Sequence, residues 1–249
     1  MFISSSTNAA IQAHARAAYP LEACGVLAHD GYVPLPNRAL TPLTHFKIDP
    51  ADLAQAGLTA PGQDGPGRAL EAIVHSHPDG PDAPSAADMA GQRASGVPWV
   101  IVKVTAQGCK KPFVFGGPPP PLLGRAFRHG VTDCYALIQD WFEGQGQRHL
   151  TPEVPRDWAW WQGGQNLYTD HYARAGWVRT SQPQVGSLAM MQTAGSPVIN
   201  HAGVLTPGGW LLHHLTGQIS RRERAELWLT SIKFWIHHPS FIWPGPSPS

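Results

Sequence analysis

The sequence has few cysteines, no excess of charge and no long apolar run. Its 3 cysteines are Cys24, Cys109 and Cys134, an odd and irregularly spaced set that cannot form the disulfide framework of a small secreted domain. Its 18 Lys and Arg nearly balance its 17 Asp and Glu, so the net charge is only +1. A chain without a broad basic field is not expected to bind nucleic acid or an anionic membrane.

Hydrophobic targeting segments are lacking as well. No stretch of the sequence approaches the roughly 20 consecutive apolar residues that cross a bilayer. Residues 1–20 contain no apolar run flanked by basic residues, which a secretory signal would need. We therefore expect no membrane-spanning segment, and a protein that is made in a cytoplasm.

Glycine and proline, in contrast, are abundant and clustered. The 26 Gly and 25 Pro concentrate at residues 61–67, 116–121 and 244–249, and such clusters are typical of loops or linkers. The polyproline part of 116–121 cannot continue a helix or a strand and acts as a semi-rigid spacer. We therefore predict two domains of about equal size, residues 1–116 and 117–249.

Apolar periodicity predicts a mixed order of helices and strands. In the first half it predicts helices over 7–18 and 85–94 and strands over 24–28, 72–75, 99–104 and 113–115. In the second half it predicts a helix that begins at Cys134, with Asp133 as its N-cap, and then short strands over 185–191, 198–205 and 210–215. We expect an α+β (mixed α/β) fold class, in which the helix that begins at Cys134 packs on a small antiparallel sheet.

Residues 75–88, HSHPDGPDAPSAAD, hold a dense set of metal-ligand side chains. His75 and His77 project from one face of a strand because side chains alternate with a period of two. Ser85 and Asp88, at the start of the following helix, lie on one helical face and can turn back over the same point. Two imidazoles and one carboxylate leave the fourth position of a tetrahedral zinc ion open to water, as in hydrolytic sites. Loop histidines in a Pro-rich turn are the alternative interpretation.

This pattern, together with the upstream Glu22, resembles the JAMM metallopeptidase family. The signature of that family is a Glu followed at a distance by His-Ser-His, seven residues, Ser, two residues and Asp, and every position is matched here. The resemblance spans roughly residues 5–115 and implies a mixed sheet with flanking helices. It also implies Zn²⁺ held by His75, His77 and Asp88, with Glu22 as general acid/base and Ser85 as an oxyanion-stabilising donor.

A second set of reactive side chains follows the proline-rich segment. Cys134 would lie in the first turn of a helix, where the macrodipole and free N–H groups favour a thiolate and lower the thiol pKa. His201, on a predicted strand, is the candidate base, and a third polar group must orient its imidazole. His213 on the adjacent strand is placed to do so, and its neighbour His214 is the alternative. A buried helix cysteine and partly exposed sheet histidines are the non-catalytic interpretation.

These residues resemble the NlpC family of papain-like cell-wall peptidases. In that family Asp-Cys opens a helix, His-(Val/Ala)-Gly begins a strand, and a third polar residue lies on the next strand. The match covers roughly residues 124–238 and implies cleavage of peptidoglycan stem peptides by Cys134, His201 and His213. Many relatives have Ser where Tyr135 stands and an acidic residue where Ser187 stands, and residues 125–131 lack the usual aromatic-rich loop.

A JAMM-like domain followed directly by an NlpC-like domain resembles the tail-tip assembly proteins of long-tailed phages of the lambda type. The resemblance implies other tail-tip proteins and bacterial peptidoglycan as partners, and a place in the virion tail tip. Two alternatives stay open: a catalytically inactive structural assembly factor, and a cytoplasmic bacterial isopeptidase that acts on a ubiquitin-like sulfur-carrier protein.

Overall fold

The chain folds into two compact units, each with its own sheet. The computed structural model describes residues 3–59, 67–193 and 195–245, and the units are Met1–Pro118 and Pro119–Ser249. The predicted α+β fold with two domains is confirmed, whereas the predicted boundary between residues 116 and 117 stays a prediction. Most of the predicted loops at 61–67 and 244–249 lies outside the described residues.

The first unit is a mixed sheet with helices on both faces. Its helices are α1 (Ser5–Ala18), α2 (Pro50–Gln55) and α3 (Ala86–Ser95). Its strands are β1 (Cys24–Ala28), β2 (Gly31–Leu35), β3 (Leu58–Thr59), β4 (Arg68–Pro78), β5 (Trp99–Thr105), β6 (Gly108–Cys109) and β7 (Phe113–Phe115). The main path of the sheet is β2-β1-β4-β5-β6, in which β4 and β5 run parallel and the other neighbours run antiparallel.

The alternation of side chains along β4 assigns its two faces. Ala72 and Val74 pack against α1 through Ile11 and Ala15. Residues of the other parity, 73, 75 and 77, therefore project to the opposite face, where Ile73 packs against the cluster that includes Leu53 of α2. This second face is the one on which both histidines of β4 project.

The second unit places one long helix against an antiparallel sheet. Its helices are α4 (Cys134–Gly144) and α5 (Leu167–Tyr172), with 3-10 turns at Arg148–Leu150, Trp160–Gly163 and Ala225–Trp228. Its strands are β8 (Val178–Thr180), β9 (Leu188–Met191), β10 (His201–Thr206), β11 (Trp210–His213), β12 (Arg221–Arg224) and β13 (Ile232–His237). The order across the sheet is β12-β11-β10-β9-β13-β8.

Helix α4 carries the main core of this unit. Leu137, Ile138 and Phe142 are completely buried and pack with residues of the sheet that include Ala202 and Leu212. At roughly 1.5–3 kcal/mol for each fully buried side chain, this face anchors the helix and so fixes the position of its first residue, Cys134. Among the described residues no helix is both long and apolar enough to span a membrane.

Candidate functional sites

The first candidate site lies at the carboxyl end of strand β4. This strand is paired with β1 on one side and β5 on the other, so it lies in the interior of the sheet, and its carboxyl-terminal half is largely buried. His75 is 1% exposed and His77 is 8% exposed. Their Nε2 atoms lie 3.0 Å apart, because residues two apart on a strand share a face.

Asp88, in the first turn of helix α3, completes the set. Its Oδ1 lies 3.2 Å from His75 Nε2 and its Oδ2 lies 3.2 Å from His77 Nε2. The three ligand atoms thus lie within 4.8 Å of one another. Ligands at 2.0–2.1 Å around one tetrahedral zinc ion are about 3.3 Å apart, so the donor set and its spacing fit such an ion.

Ser85 holds Asp88 in place as the N-cap of α3. The Ser85 hydroxyl and its backbone N–H both donate to Asp88 Oδ2 at 2.7 Å. The Asp88 backbone N–H in turn bonds the Ser85 side chain at 3.1 Å, which forms a reciprocal capping box. The role that the structure gives Ser85 is to position a carboxylate, and its predicted oxyanion role stays a prediction.

The two histidine rings are oriented in different ways. His77 Nδ1 lies 3.0 Å from the carbonyl oxygen of Pro81, so it carries the proton and leaves Nε2 as the free ligand atom. His75 Nδ1 has no hydrogen-bond partner among the described residues. Its ring is held by stacking on Phe46 at 4.4 Å and by an edge contact with Trp99 at 5.5 Å. The sequence motif did not predict this aromatic packing around His75.

Glu22 lies two residues before β1, and hydrogen bonds of the neighbouring residue to strand β4 fix its position. Its neighbour Ala23 donates its N–H to the Ser76 hydroxyl at 2.8 Å and accepts from the Ser76 N–H at 3.0 Å. Asn37 donates to the Glu22 carbonyl at 2.9 Å. Burial raises the pKa of Glu22 to about 7, with opposing effects of His77 and Asp88. A carboxyl with such a pKa can accept and return a proton near neutral pH.

The charges of the ligand set respond to burial and to one another. Burial lowers the pKa of His75. Burial also opposes the charged form of His77, but the contacts with Asp88, the Pro81 carbonyl and Glu22 together outweigh it and raise that pKa. Burial raises the pKa of Asp88, yet the hydrogen bonds to both histidines hold it well below its usual range. Asp88 is therefore ionised and the site is suited to a cation.

The second candidate site is built at the start of helix α4. Asp133 is the N-cap and accepts from the Ala136 N–H at 3.0 Å and from the Gly130 N–H at 2.7 Å. Arg156 donates to both carboxylate oxygens of Asp133, at 2.7 and 2.6 Å. This buried ion pair lies beside Cys134 and fixes the turn from which the thiol projects.

Cys134 and His201 line one cavity of about 680 Å³, whose walls carry several aromatic side chains. The Cys134 sulfur lies 3.2 Å from the Tyr168 hydroxyl, a contact that the sequence did not reveal because Tyr168 belongs to the separate helix α5. His201 begins strand β10 and is 3% exposed. The predicted nucleophile and the predicted base thus line the same cavity.

The thiol is not acidic in this setting. Burial raises the pKa of Cys134 to about 11 and the charge of Asp133 adds to this, while the hydrogen bond to Tyr168 acts in the other direction. The helix start was predicted to lower this pKa, and burial outweighs it. Burial also lowers the pKa of His201 to about 3. The resting pair is therefore a neutral thiol and a neutral imidazole.

His213, and not His214, contacts the ring of His201. The His213 Nδ1 atom lies 3.2 Å from His201 Nε2, and its Nε2 atom lies 2.9 Å from Glu223 Oε2. His214 follows the end of β11 and its Nε2 bonds the Gln218 carbonyl at 3.1 Å. Sequence reasoning missed Glu223, because a run of arginines around it is typical of a solvated edge strand.

Comparison with known protein families accounts for both units. Residues 4–113 match the prokaryotic homologs of the JAB domain, and residues 110–233 match the NlpC/P60 family. The JAMM-like and NlpC-like domains predicted from the sequence are thereby confirmed. A solution structure of a protein from Salinibacter ruber (strain DSM 13855) covers 48% of this chain and 83% of its own length at 24% identity. Its TM-score of 0.32 is too low to compare the two folds.

Two curated phage proteins are similar to this chain over most of their own length. The chain is 37% identical over 223 residues to the tail tip assembly protein K of Escherichia phage N15, and this alignment covers 86% of each chain. It is 40% identical over 157 residues to the protein of the same name from Escherichia phage lambda, which covers 62% of this chain and 74% of the relative. With these relatives and a JAB-like unit followed by an NlpC/P60 unit, the chain belongs to the family of tail tip assembly protein K.

Proposed function

We propose that this tail tip assembly protein is also a cell-wall hydrolase, in which the second unit cuts peptidoglycan stem peptides as a cysteine endopeptidase. The observation that carries the proposal is that Cys134 and His201 line the same cavity, with His213 Nδ1 within 3.2 Å of His201 Nε2. A thiol, a base and an orienting group are the parts that thiol-dependent peptide cleavage needs. Other tail-tip proteins are its proposed partners, and the virion tail its proposed location.

The proposed reaction starts from the neutral pair. The Cys134 sulfur attacks the scissile carbonyl carbon while its proton passes to the free ring nitrogen of His201. His201 then donates that proton to the departing amine, which leaves a thioester on Cys134. Water, deprotonated by His201, hydrolyses the thioester and restores the thiol. Because burial raises the pKa of the thiol and lowers that of the imidazole, proton transfer has to accompany the attack.

The first unit is proposed to hold one Zn²⁺ through His75, His77 and Asp88. When bound, zinc would act as a Lewis acid and supply an activated water. Glu22 is proposed to hold and return the proton of that water, which its buried carboxyl with a pKa of about 7 suits. Ser85 keeps Asp88 fixed, and its proposed second role is to donate to a developing oxyanion.

Release of muropeptides from purified cell wall tests the cysteine site. The wild type should release fragments, whereas Cys134→Ala and His201→Ala should each lose turnover by several orders of magnitude and non-additively, because they act as one unit. His213→Ala should lose less, since it removes orientation and not a reacting atom. Cys109→Ala, in the other unit, is the matched control and should stay active.

The same assay with and without chelator separates the two units. A chelator or His77→Ala should leave the release of muropeptides unchanged. If chelator abolishes release while Cys134→Ala retains it, the roles given to the two units are reversed. If no form of the protein releases fragments, the assembly role stands alone and the hydrolase proposal is wrong.

Metal analysis of the purified protein tests the first unit. The wild type should carry about one zinc per chain, and His77→Ala should lose it because only two of the three ligands remain. Glu22→Gln should keep the zinc, since Glu22 is not proposed as a ligand. His29→Ala, an exposed histidine of the same unit, is the control. Equal zinc in wild type and His77→Ala would reject the ligand assignment.

A further inference from the structure

A hydrogen-bonded chain runs from the cavity of the second unit to the edge strand β12. It passes from His201 to His213 at 3.2 Å and from His213 to Glu223 at 2.9 Å. Strand pairing produces this chain: His213 on β11 lies opposite Gly203 on β10, and Glu223 on β12 lies opposite Leu211 on β11. Glu223 is thus a diagonal cross-strand neighbour of His213 on the same face of the sheet.

The direction of each hydrogen bond in this chain follows from the Glu223 carboxylate, which can only accept. An ionised carboxylate only accepts hydrogen bonds, so the proton of His213 must be on Nε2. A neutral His213 then has a lone pair on Nδ1, which accepts from the Nε2–H of His201. His201 is left with an unprotonated Nδ1, the ring nitrogen that a base needs. One carboxylate therefore selects the tautomers of two successive imidazoles.

Glu223 is itself held in position by neighbours. The indole Nε1–H of Trp228 donates to the same Oε2 atom at 3.1 Å, and the Trp228 ring lies edge-on to His213 with 4.6 Å between centroids. Arg221 Nε lies 3.2 Å from Glu223 Oε1 in an ion-pair contact. The rings of His213 and Trp228 therefore both donate to Oε2, and the Arg221 cation lies at Oε1. Together these contacts fix the orientation of the carboxylate.

We propose that Glu223 is a positioning residue of the cysteine-peptidase site, which selects the His213 and His201 tautomers that leave His201 Nδ1 free to take the thiol proton. This proposal rests on the proposed function of the second unit. Neither Glu223 nor His213 is among the residues that line the cavity. A loss caused by the wrong tautomer should therefore lower kcat and leave KM nearly unchanged.

The test compares Glu223→Leu with Glu223→Gln in the full chain. Glu223→Leu should lower kcat about 10- to 100-fold, less than the loss known for an orienter bonded directly to the catalytic base. Glu223→Gln should recover most of this loss, because its carbonyl oxygen can accept from both His213 and Trp228. Glu226→Gln, an exposed glutamate in the next turn, is the matched control and should behave as wild type.

Ring nitrogen NMR gives a readout that a purely structural role would not move. In protein with ¹⁵N-labelled histidine, the signals lost in His213→Ala identify that ring. They should show the Nε2–H tautomer in wild type and Glu223→Gln, and a mixture of tautomers in Glu223→Leu. This measurement needs no substrate, so it separates the tautomer relay from the proposed peptidase activity if the wild type releases no muropeptides.

Two results would overturn the proposal. One is an unchanged His213 tautomer in a folded Glu223→Leu. The other is an active Glu223→Leu whose kcat stays within about twofold of wild type, or whose loss lies entirely in KM. If Glu223→Leu does not fold, Glu223→Gln decides alone: a tautomer or a kcat as disturbed as in His213→Ala would contradict the proposed acceptor role.

Discussion

Replacing Arg156 by methionine should destabilise the second unit strongly while leaving its shape intact. The Arg156 side chain is 8% exposed and that of Asp133 is 4% exposed. The substitution leaves the Asp133 carboxylate with the backbone N–H groups of Gly130 and Ala136 but removes its paired charge. Removing one partner of a buried ion pair costs about 3–5 kcal/mol, and we expect the lower part of that range because two hydrogen bonds remain.

Urea denaturation followed by tryptophan fluorescence measures this loss. Of the 10 tryptophans only Trp99 belongs to the first unit, so the signal reports mainly on the second. Arg148→Met is the matched control: its ion pair with Glu153 is 29% and 42% exposed, and such pairs contribute about 0–1 kcal/mol. The double variant with Asp133→Asn should regain much of the stability lost by Arg156→Met, since no buried charge is left unpaired.

The loss should also depend on pH in a defined direction. Burial raises the pKa of Asp133, but Arg156 lowers it to about 2, so the pair stabilises the fold above about pH 4 and this stability is lost as the pH falls through about 2. Without Arg156 the lowering effect of its charge is lost, so the pKa of Asp133 rises, and the cost of the unpaired charge disappears once the carboxyl is protonated. The difference between wild type and Arg156→Met should therefore shrink on acidification.

A loss below about 1 kcal/mol at pH 7, the size expected for an exposed pair, would refute the reasoning. A difference that stays constant from about pH 7 down to about pH 2 would refute its electrostatic part. In that case Arg156 would act through the packing of its side chain, for example over the ring of Tyr135, which its guanidinium carbon approaches to 5.4 Å.

Three further predictions concern other parts of the chain. Limited proteolysis should nick residues 116–121 first and yield two folded fragments; a single resistant unit would contradict the proposed domain boundary. Ser85→Ala should lower stability by about 1 kcal/mol and weaken zinc retention, because Asp88 loses its cap partner; a thermal melt and metal analysis that match wild type would reject this. Tyr168→Phe should raise the pKa of Cys134 further and slow its alkylation several-fold, and unchanged alkylation kinetics would show that the hydroxyl does not stabilise the thiolate.

The local parts of both sites could be predicted from the sequence because they depend on residues close together in the chain. A period of two places His75 and His77 on one face, and Ser85 with Asp88 three residues on forms a capping box. Both are consequences of backbone geometry alone. The helix that begins at Cys134 followed in the same way from its N-cap and apolar spacing.

The tertiary structure decided what depends on strand order and burial. Pairing of β12 with β11 brings Glu223 to His213, and the fold brings Tyr168 to a cysteine 34 residues earlier. Neither contact leaves a periodic signal, because the sequence between the partners does not fix their separation in space. The thiol pKa was predicted to fall, yet enclosure in the cavity raises it. Desolvation depends on everything packed around the sulfur, and only the folded chain defines that surrounding.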